Sequence, residues 1–473
     1  MTGLAVELKA RTGLTPSRRS CEAAALLGMS FDEEAREARA QRVELALKSG
    51  TVTLVTGPSG AGKSTLLRGA RDEAKARGWR VIDVNAIRLG ASPAVQLAGR
   101  DVESALSRLA DVGLAEARLA AQRPQAMSDG QRARLRIAVA LHRASRGPMA
   151  TPTLIVIDEF AQSLDRTTAR SVAMGFARAL KRALRVRAVV ATSHDDLETA
   201  LRPAQVVRVS MRGDVSVRRG APGAAPDRYD IEIGTPADYT ALAHWHHRSG
   251  RPASIVRTMR AVDALTGELA GVAVIAMPTL NGVWRDIAWP GRFSTGDKRV
   301  NARRLNAEVR RIARVVVEPR HRGVGLARRL VEAYLNEPLT VRTEAVATVA
   351  RFSRFFERAG MRAIDLPLQA RDARLLDAME HAGVEPFRLA TPGSAWRRAV
   401  ASTSEAFMER ELRRWSQDRG AETQRFRTRR DLLWKRACCT VAARMRAYVS
   451  EAWGGEILLP REKVASRLCR DDG

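Results

Sequence analysis

Aromatic side chains are scarce in this chain: Phe, Trp and Tyr supply 5% of its 473 residues. Its core must be filled mainly by Ala, Val and Leu. With 45% apolar residues there is enough of it for roughly two to four domains. Cysteine is scarcer still. The four, Cys21, Cys438, Cys439 and Cys469, show neither C-x-x-C nor Cys/His zinc spacing, which favours free thiols over bridges or ligands. No apolar run approaches the ~20 residues that span a bilayer. The first residues, MTGLAVELKARTGL, lack the apolar stretch and cleavage site of a secretory signal. These absences predict a cytoplasmic protein with no membrane partner. Negative charge is the last shortage: 52 Asp and Glu face 80 Lys and Arg, for a net charge of +28. The excess is even, with 36 basic and 22 acidic side chains in residues 1–225 and 44 and 30 in residues 226–473. Such a balance favours a polyanionic partner, DNA or RNA first. The plainer reading, arginine-rich usage from GC-rich coding, stays open.

The charged stretch FDEEAREARAQRVELALKSG (31–50) reads as helical. TVTLVT (51–56), TLIVID (153–158) and RAVVATS (187–193) read as short apolar strands with helices between them, the pattern of a parallel sheet covered on both faces. RRGAPGAAPDR (218–228) is a Gly/Pro/Ala break that marks a domain boundary. Beyond it, TPADYTAL begins like a capped helix, and RAVDALTGELAGVAVIAMP like a hairpin turning near Thr266 and Gly267. IARVVVEP and LTVRTEAV read as strands, with VGLARRLVEAYL a helix between them. From about residue 370 the pattern is mostly helical and basic. The expected domains are 1–217, a linker at 218–228, 229–370 and 371–473. The expected class is α/β, followed by an α+β domain and a helical basic region.

GPSGAGKST (57–65) fits G-x-x-x-x-G-K-S/T, follows a strand and opens a helix, which is the context that motif requires. Gly57, Gly60 and Gly62 let the backbone curl, so that its N–H groups, with those of Ser59 and Thr65, surround phosphates. Lys63 reaches the β- and γ-phosphates, and Ser64 ligates Mg²⁺. TLIVIDEF places Asp158 and Glu159 at the end of an apolar strand. Asp158 is expected to hold Mg²⁺ through water. Glu159 is expected to polarise the attacking water, a base in line with the γ-phosphate. ATP and Mg²⁺ are the cofactors this predicts.

Three further segments narrow the reading. MSDGQRARLRIAVAL (127–141) resembles the LSGGQ signature of ABC-type ATPases, matching at Ser128, Gly130 and Gln131. AQSLD (161–165) matches the D-loop, ending on Asp165, and ATSHDD puts His194 where that family's switch histidine senses the γ-phosphate. Gln96 stands as the Q-loop glutamine and Phe31 as the aromatic residue for adenine. In order and spacing, residues 25–215 look like an ABC-type nucleotide-binding domain. The resemblance implies a head-to-tail homodimer, with ATP between one subunit's P-loop and the other's Ser128 segment. Departures are Asp129 for a glycine, Phe160 for a proline, and a longer interval between Ser128 and Asp158 that contains RASRGPMATP. They point away from importer and exporter subunits, toward a soluble ATPase of the DNA-repair or chromosome-maintenance kind.

PRHRGVGLARRLVEAYL (319–335) resembles motif A of the GNAT acetyltransferases, matching at Arg320, Gly323 and Gly325 in a strand–turn–helix context. RFSRFFERAGMR (351–362) resembles that family's last motif. The resemblance implies that Val317, Arg320, Arg322, Gly323, Val324, Gly325 and Leu326 bind acetyl-CoA, with its pyrophosphate at the helix N-terminus. RHRGVG lacks the Lys-Ser pair of the first loop, so it is not a second ATP site. Glu318 is either a general base or a solvated strand-end carboxylate. Phe356 stands where many GNAT enzymes have a proton-donating tyrosine, which leaves Tyr334 as the candidate acid. HWHHR (244–248) is a poor zinc site, because adjacent histidines on one helix point different ways. The segment 280–306 interleaves Trp284, Trp289 and Phe293 with Arg and Lys. It is either a base-stacking platform or a surface loop with its tryptophans in the core. The basic tail segment 413–439 reads as helix with packed tryptophans.

The expected whole is an ABC-type ATPase fused to a GNAT-like domain. As an enzyme it would hydrolyse ATP and acylate or modify a nucleic acid or a target bound to one. Two alternatives stand: a GNAT-like fold that senses or holds without catalysis, and the ATP-binding subunit of a transporter.

Overall fold

The computed structural model describes residues 3–8, 17–26, 41–147, 151–183, 185–211, 214–220, 228–246, 250–347, 353–419, 423–424, 429–442 and 445–452. Two compact units make it up, one of residues 1–251, 258–273 and 315–330, the other of residues 252–257, 274–314 and 331–473.

In the first unit, β1 (Gly3–Leu8) pairs antiparallel with β2 (Gln41–Ala46). Then come β3 (Val52–Thr56), β4 (Arg80–Asp83), β5 (Thr153–Ile157), β6 (Val186–Thr192), β7 (Gln205–Val209) and β8 (Val215–Arg219). These six form one sheet in the order β4-β5-β6-β3-β7-β8. Neighbours run parallel, except that β8 is antiparallel to β7. Val52, Leu54, Ile155, Ile157 and Val190 enter the core on one face. Val55, Leu154, Val156, Val189 and Ala191 enter it on the other. Both faces are covered, which is why β3, β5 and β6 are buried at every position and show no alternation. Helices Asp129–Ser145 and Arg166–Arg182 cover the first face, and helix Lys63–Ala76 covers the second through Leu66, Leu67 and Ala70. Each large aliphatic side chain fully buried there contributes roughly 1.5–3 kcal/mol.

The helix expected over 31–50 is corrected at residues 41–46, which are β2; residues 31–40, with Phe31, lie outside the described residues. Val43, Leu45 and Leu47 are buried while Arg42, Glu44 and Lys48 are exposed. That two-residue period marks a half-buried strand, and the abundance of charge concealed it. Gln205 secures β2 to the main sheet, accepting from the Ala46 N–H (2.8 Å) and donating to the Glu44 carbonyl (3.0 Å).

A seven-stranded sheet is built from β9 (Tyr229–Gly234), β10 (Ile255–Asp263), β11 (Leu269–Ala276), β12 (Val309–Val317), β13 (Arg342–Ala347), β14 (Arg362–Asp365) and β15 (Arg446–Glu451). Its order is β14-β15-β13-β12-β11-β10-β9. β12 runs parallel to β13, from Val309 opposite Arg342 to Ile312 opposite Ala345, with helix Leu326–Asn336 between them in the chain. The hairpin turn falls where expected: the N–H groups of Thr266 and Gly267 both donate to the Asp263 carbonyl. Thr235 caps helix Pro236–Leu242 in a reciprocal box with Asp238. β15 is an addition to the helical reading of the tail. Its Ala447, Tyr448 and Val449 are all buried, so it lacks the alternation that would have revealed it.

In the second unit, helices Ala370–His381, Pro392–Ser402, Glu405–Arg419 and Arg430–Ala442 surround a core that includes Met379, Leu412, Trp415 and Trp434. The tail tryptophans thus pack inside, as the sequence indicates. Trp289 joins Leu305, Val309 and Ile364 in a second cluster, and the Trp284 indole N–H donates to buried Glu344 (2.8 Å). Of the two readings of segment 280–306, the core one holds for Trp289, while Trp284 is half-buried against the same cluster. Cys21, Cys438 and Cys439 are free thiols, and Cys469 lies outside the described residues. Among the described residues no helix is long and apolar enough to cross a membrane.

Candidate nucleotide site

β6 lies between β3 and β5, so the C-terminal ends of three parallel strands meet along one edge of the sheet. Open parallel sheets bind ligands at that edge. The loop after β3 brings Ser59, Gly60, Gly62, Lys63, Ser64 and Thr65 to an open pocket of about 280 Å³. β5 adds Asp158, Glu159 and Gln162, and β6 adds Thr192 and Ser193. Gly57 has φ +147°, and a Cβ there would run into the Val209 carbonyl, so only glycine fits. The Lys63 amino group spans the loop, donating to the carbonyls of Gly57 (2.7 Å) and Pro58 (2.6 Å). Ser64 and Asp158 line the same pocket with hard oxygen donors, a set that fits Mg²⁺. Bound there, the ion would neutralise charge on the β- and γ-phosphate oxygens.

The turn after β5 is strained and braced. Glu159 and Ala161 have φ +51° and +60°, a conformation that costs side-chain-bearing residues on the order of 1–3 kcal/mol each. Phe160, between them, offsets this. Its N–H donates to the Ala191 carbonyl (2.8 Å), and its buried ring packs against Phe176 with centroids 6.0 Å apart. Phe160 is therefore the anchor of the turn. Asn85 clamps the other side: its amide donates to the Asp158 carbonyl (3.0 Å) and accepts from the Asp158 N–H (2.9 Å). Sequence reasoning missed Asn85, which lies 73 positions away and belongs to no motif. Gln162, Thr192 and Ser193 were missed too, although their place just beyond strand ends was a usable signal.

His194 follows β6, its N–H donating to the Thr192 hydroxyl (3.2 Å). Burial, and then the Arg166 guanidinium, pushes its imidazole below its ordinary value, so it is neutral at pH 7. Thr56 at the end of β3 donates to Asp195 (2.5 Å), tying the P-loop strand to the same turn. Ser128 caps helix Asp129–Ser145: its hydroxyl accepts from the Gln131 N–H (3.3 Å), and Gln131 accepts from the Ser128 N–H (3.0 Å). A Cβ on Gly130 would stand 2.8 Å from Leu164, so this segment packs on the AQSLD turn (161–165) of its own chain. Asp165 caps helix Arg166–Arg182, accepting from the Thr168 N–H (2.9 Å). Yet Ser128, Gly130, Gln131 and Asp165 do not line the P-loop pocket, and neither does Gln96, exposed on helix Ala94–Ala98.

The second glycine turn has a different setting. Glu318 is buried and engaged locally, accepting from the Arg320 N–H (2.9 Å) and side chain (3.1 Å). Arg320 also pairs with Glu268 (3.2 Å). Arg322 pairs with Glu116 (2.8 Å) and donates to the Val317 carbonyl (3.0 Å). Gly323 and Gly325 have φ +83° and +93°. A Cβ on Gly323 would stand 3.0 Å from the Ala110 carbonyl oxygen and 3.5 Å from that of Asp111. Val324 is half-buried, and Leu326 is buried at the head of its helix. In the second unit, Tyr334 is buried, which pushes its hydroxyl up, and Phe356 stacks on Tyr448 (4.9 Å). His247 lies outside the described residues, among which no three His, Cys, Asp or Glu side chains gather as a metal site.

The model of the novel STAND NTPase 1 family matches residues 34–237. Among solved structures, the ATP-binding cassette MJ0796, a dimer in a post-hydrolysis state bound to ADP and Pi, is 20% identical over 39% of this chain and 90% of its own, with a TM-score of 0.29. The protein cbiO1 from Clostridium perfringens, part of the ABC transporter complex cbiONQ, is 18% identical over 41% of this chain and 85% of its own, with a TM-score of 0.30. No curated protein matches. The P-loop, the carboxylate pair and the parallel sheet lie within the matched residues, so this region is a P-loop NTPase unit, similar in sequence to the novel STAND NTPases.

Proposed function

We infer that this chain binds and hydrolyses ATP with Mg²⁺ and does so as a head-to-tail homodimer. The half-built pocket carries this reading. It holds the P-loop and both carboxylates, but not the Ser128 segment, whose capped helix N-terminus suits an anion. A second copy would bring that segment over the γ-phosphate. Lys63 would then hold the β- and γ-phosphates, Glu159 would take the proton of the attacking water, and neutral His194 would donate to the γ-phosphate. Ser128→Arg is expected to leave ATP binding intact and to slow hydrolysis roughly tenfold or more. Lys63→Ala is expected to be inactive. Mixing the two variants should restore activity, because each mixed dimer keeps one intact composite site. Normal hydrolysis by the Ser128→Arg protein, or no recovery on mixing, overturns the pairing.

For the second glycine turn, packing supports the non-catalytic reading over acyl transfer. The β12–turn–helix–β13 path, with strand pairing that ends at Ile312 and Ala345, supports a GNAT-like layout. At the turn itself, however, the Ala110 and Asp111 carbonyls face Gly323, and Glu116 occupies Arg322. Acceptors there repel the pyrophosphate of acetyl-CoA, where a binding loop presents donors. The turn then serves as a docking element on the NTPase core. Coenzyme A titrated into the full chain is expected to give no saturable binding by calorimetry; saturation would reinstate it as a ligand. A DNA or RNA partner is supported by the net charge of +28, and segment 280–306 adds nothing to it, since Trp289 is in the core.

A further inference from the structure

A basic cleft of about 480 Å³ opens on the first unit, away from the P-loop, between the start of helix Val102–Asp111 and the end of helix Asp129–Ser145. Arg100, Arg108, His142 and Arg146 line it, with the hydroxyls of Ser104 and Ser145. The lone carboxylate in the lining, Asp101, is turned to its own helix, where it accepts from the Ser104 N–H (2.7 Å). None of the three arginines forms an ion pair among the described residues. Asp111, which faces Arg108, is already held through both oxygens by Arg182 (2.7 Å). The Arg108 Nε is buried with no acceptor.

Arginines often gather at a helix C-terminus to satisfy its last carbonyls and oppose its dipole. Three of the last four carbonyls here already have other partners. The Arg143 carbonyl accepts from Arg80 (2.7 Å), the His142 carbonyl from the Ser145 hydroxyl (2.8 Å), and the Ala144 carbonyl from the Gly147 N–H (3.4 Å). Burial, followed by Arg108, Arg146, Arg100 and Arg143, pushes His142 below its ordinary value, so its charged surroundings are positive on balance, with Asp101 near Arg100 and Asp111 near Arg108 as partial counter-charges. Several guanidinium forks with adjacent hydroxyls suit the multiple oxygens of a phosphate group, which accepts bidentate bonds from arginine.

We propose that this cleft is a second anion site, separate from the nucleotide pocket, that binds phosphate groups through Arg100, Arg108 and Arg146. Two of its lining residues, His142 and Ser145, close the same helix that Ser128 caps at its other end. A ligand here therefore bears directly on the signature helix. The inference stands apart from the ATPase reading, because binding is measured without ATP.

The test uses the full chain carrying Lys63→Ala, so that the P-loop takes no part. Its probes are inorganic pyrophosphate, followed by calorimetry, and a short fluorescent duplex without terminal phosphates, followed by anisotropy across salt concentrations. The partner variant is Arg100→Gln with Arg146→Gln, both exposed positions that leave the core untouched. Affinity for at least one probe is expected to fall about tenfold or more, with Arg100→Lys and Arg146→Lys retaining most of it. If the duplex binds, the double variant should flatten the slope of log affinity against log salt by about 2, for two lost phosphate contacts. Loss confined to pyrophosphate identifies a small phosphoanion as the ligand; loss on the duplex identifies backbone phosphates. If neither probe binds, or the double variant binds both as well as its parent, the proposal fails.

Discussion

Glu159→Gln is expected to stop turnover while leaving ATP bound. Glutamine keeps the shape and hydrogen-bonding reach of the side chain but cannot take a proton from water. Loss of a positioned general base costs roughly 10²–10⁴-fold in rate. Nothing else in the site should move. The strained backbone at Glu159 is held by Phe160, through the Ala191 carbonyl and the contact with Phe176, and by Asn85 on Asp158. Lys63, Ser64 and Asp158 remain to hold the nucleotide. If ATP closes two subunits head to tail and hydrolysis opens them, the variant should run as a dimer on a sizing column under saturating ATP and as a monomer without it. A rate within a fewfold of the parent would remove Glu159 from the base role. A monomer under saturating ATP, with binding shown separately, would remove the dimer.

Glu344→Leu should destabilise the second unit by about 3–5 kcal/mol, the usual cost of breaking a fully buried ion pair. Glu344 and Arg285 are 0% and 3% exposed. Two bonds join them, from Arg285 Nε (2.8 Å) and Nη2 (2.7 Å), and the Trp284 indole N–H adds a third to the same carboxylate (2.8 Å). Removing the carboxylate strands a guanidinium and an indole donor away from water. Thermal unfolding should show the corresponding transition lower by on the order of 10 °C. The double variant Arg285→Met with Glu344→Leu should recover much of the loss, since no charge is then left buried. A single variant as stable as its parent would show that water reaches the pair. A double variant no better than the single would assign the loss to packing.

Much of the nucleotide site was legible because its chemistry is local. The bends of GPSGAGKST need glycine at fixed places, and a carboxylate pair after an apolar strand is readable within eight residues. Strands buried on both faces announced a covered parallel sheet. Where burial was one-sided or hidden, the sequence misled. The alternation of Val43, Leu45 and Leu47 was lost among charges, and Ala447, Tyr448 and Val449 sit inside a mainly helical tail with no period to mark them. The tryptophans of segment 280–306 fit a stacking platform and a core equally well in sequence, because a string of residues carries no record of what lies opposite. Glu344, which holds the Trp284 indole N–H, is 60 positions away.

The two glycine turns show the same division most clearly. By itself the sequence determined that GPSGAGKST is a phosphate loop, since the lysine, the serine and the glycines that hold a triphosphate all lie within nine residues. It also determined that RHRGVG turns and opens a helix, because Gly323 and Gly325 take backbone angles that other residues resist. Only the tertiary structure decided what each turn faces. The first opens on solvent at the edge of the sheet, beside Asp158 and Glu159. The second meets the Ala110 and Asp111 carbonyls and the Glu116 carboxylate. Backbone angles are set by neighbours in the chain, but the charge a turn meets is set by residues some two hundred positions away, which only packing brings to it.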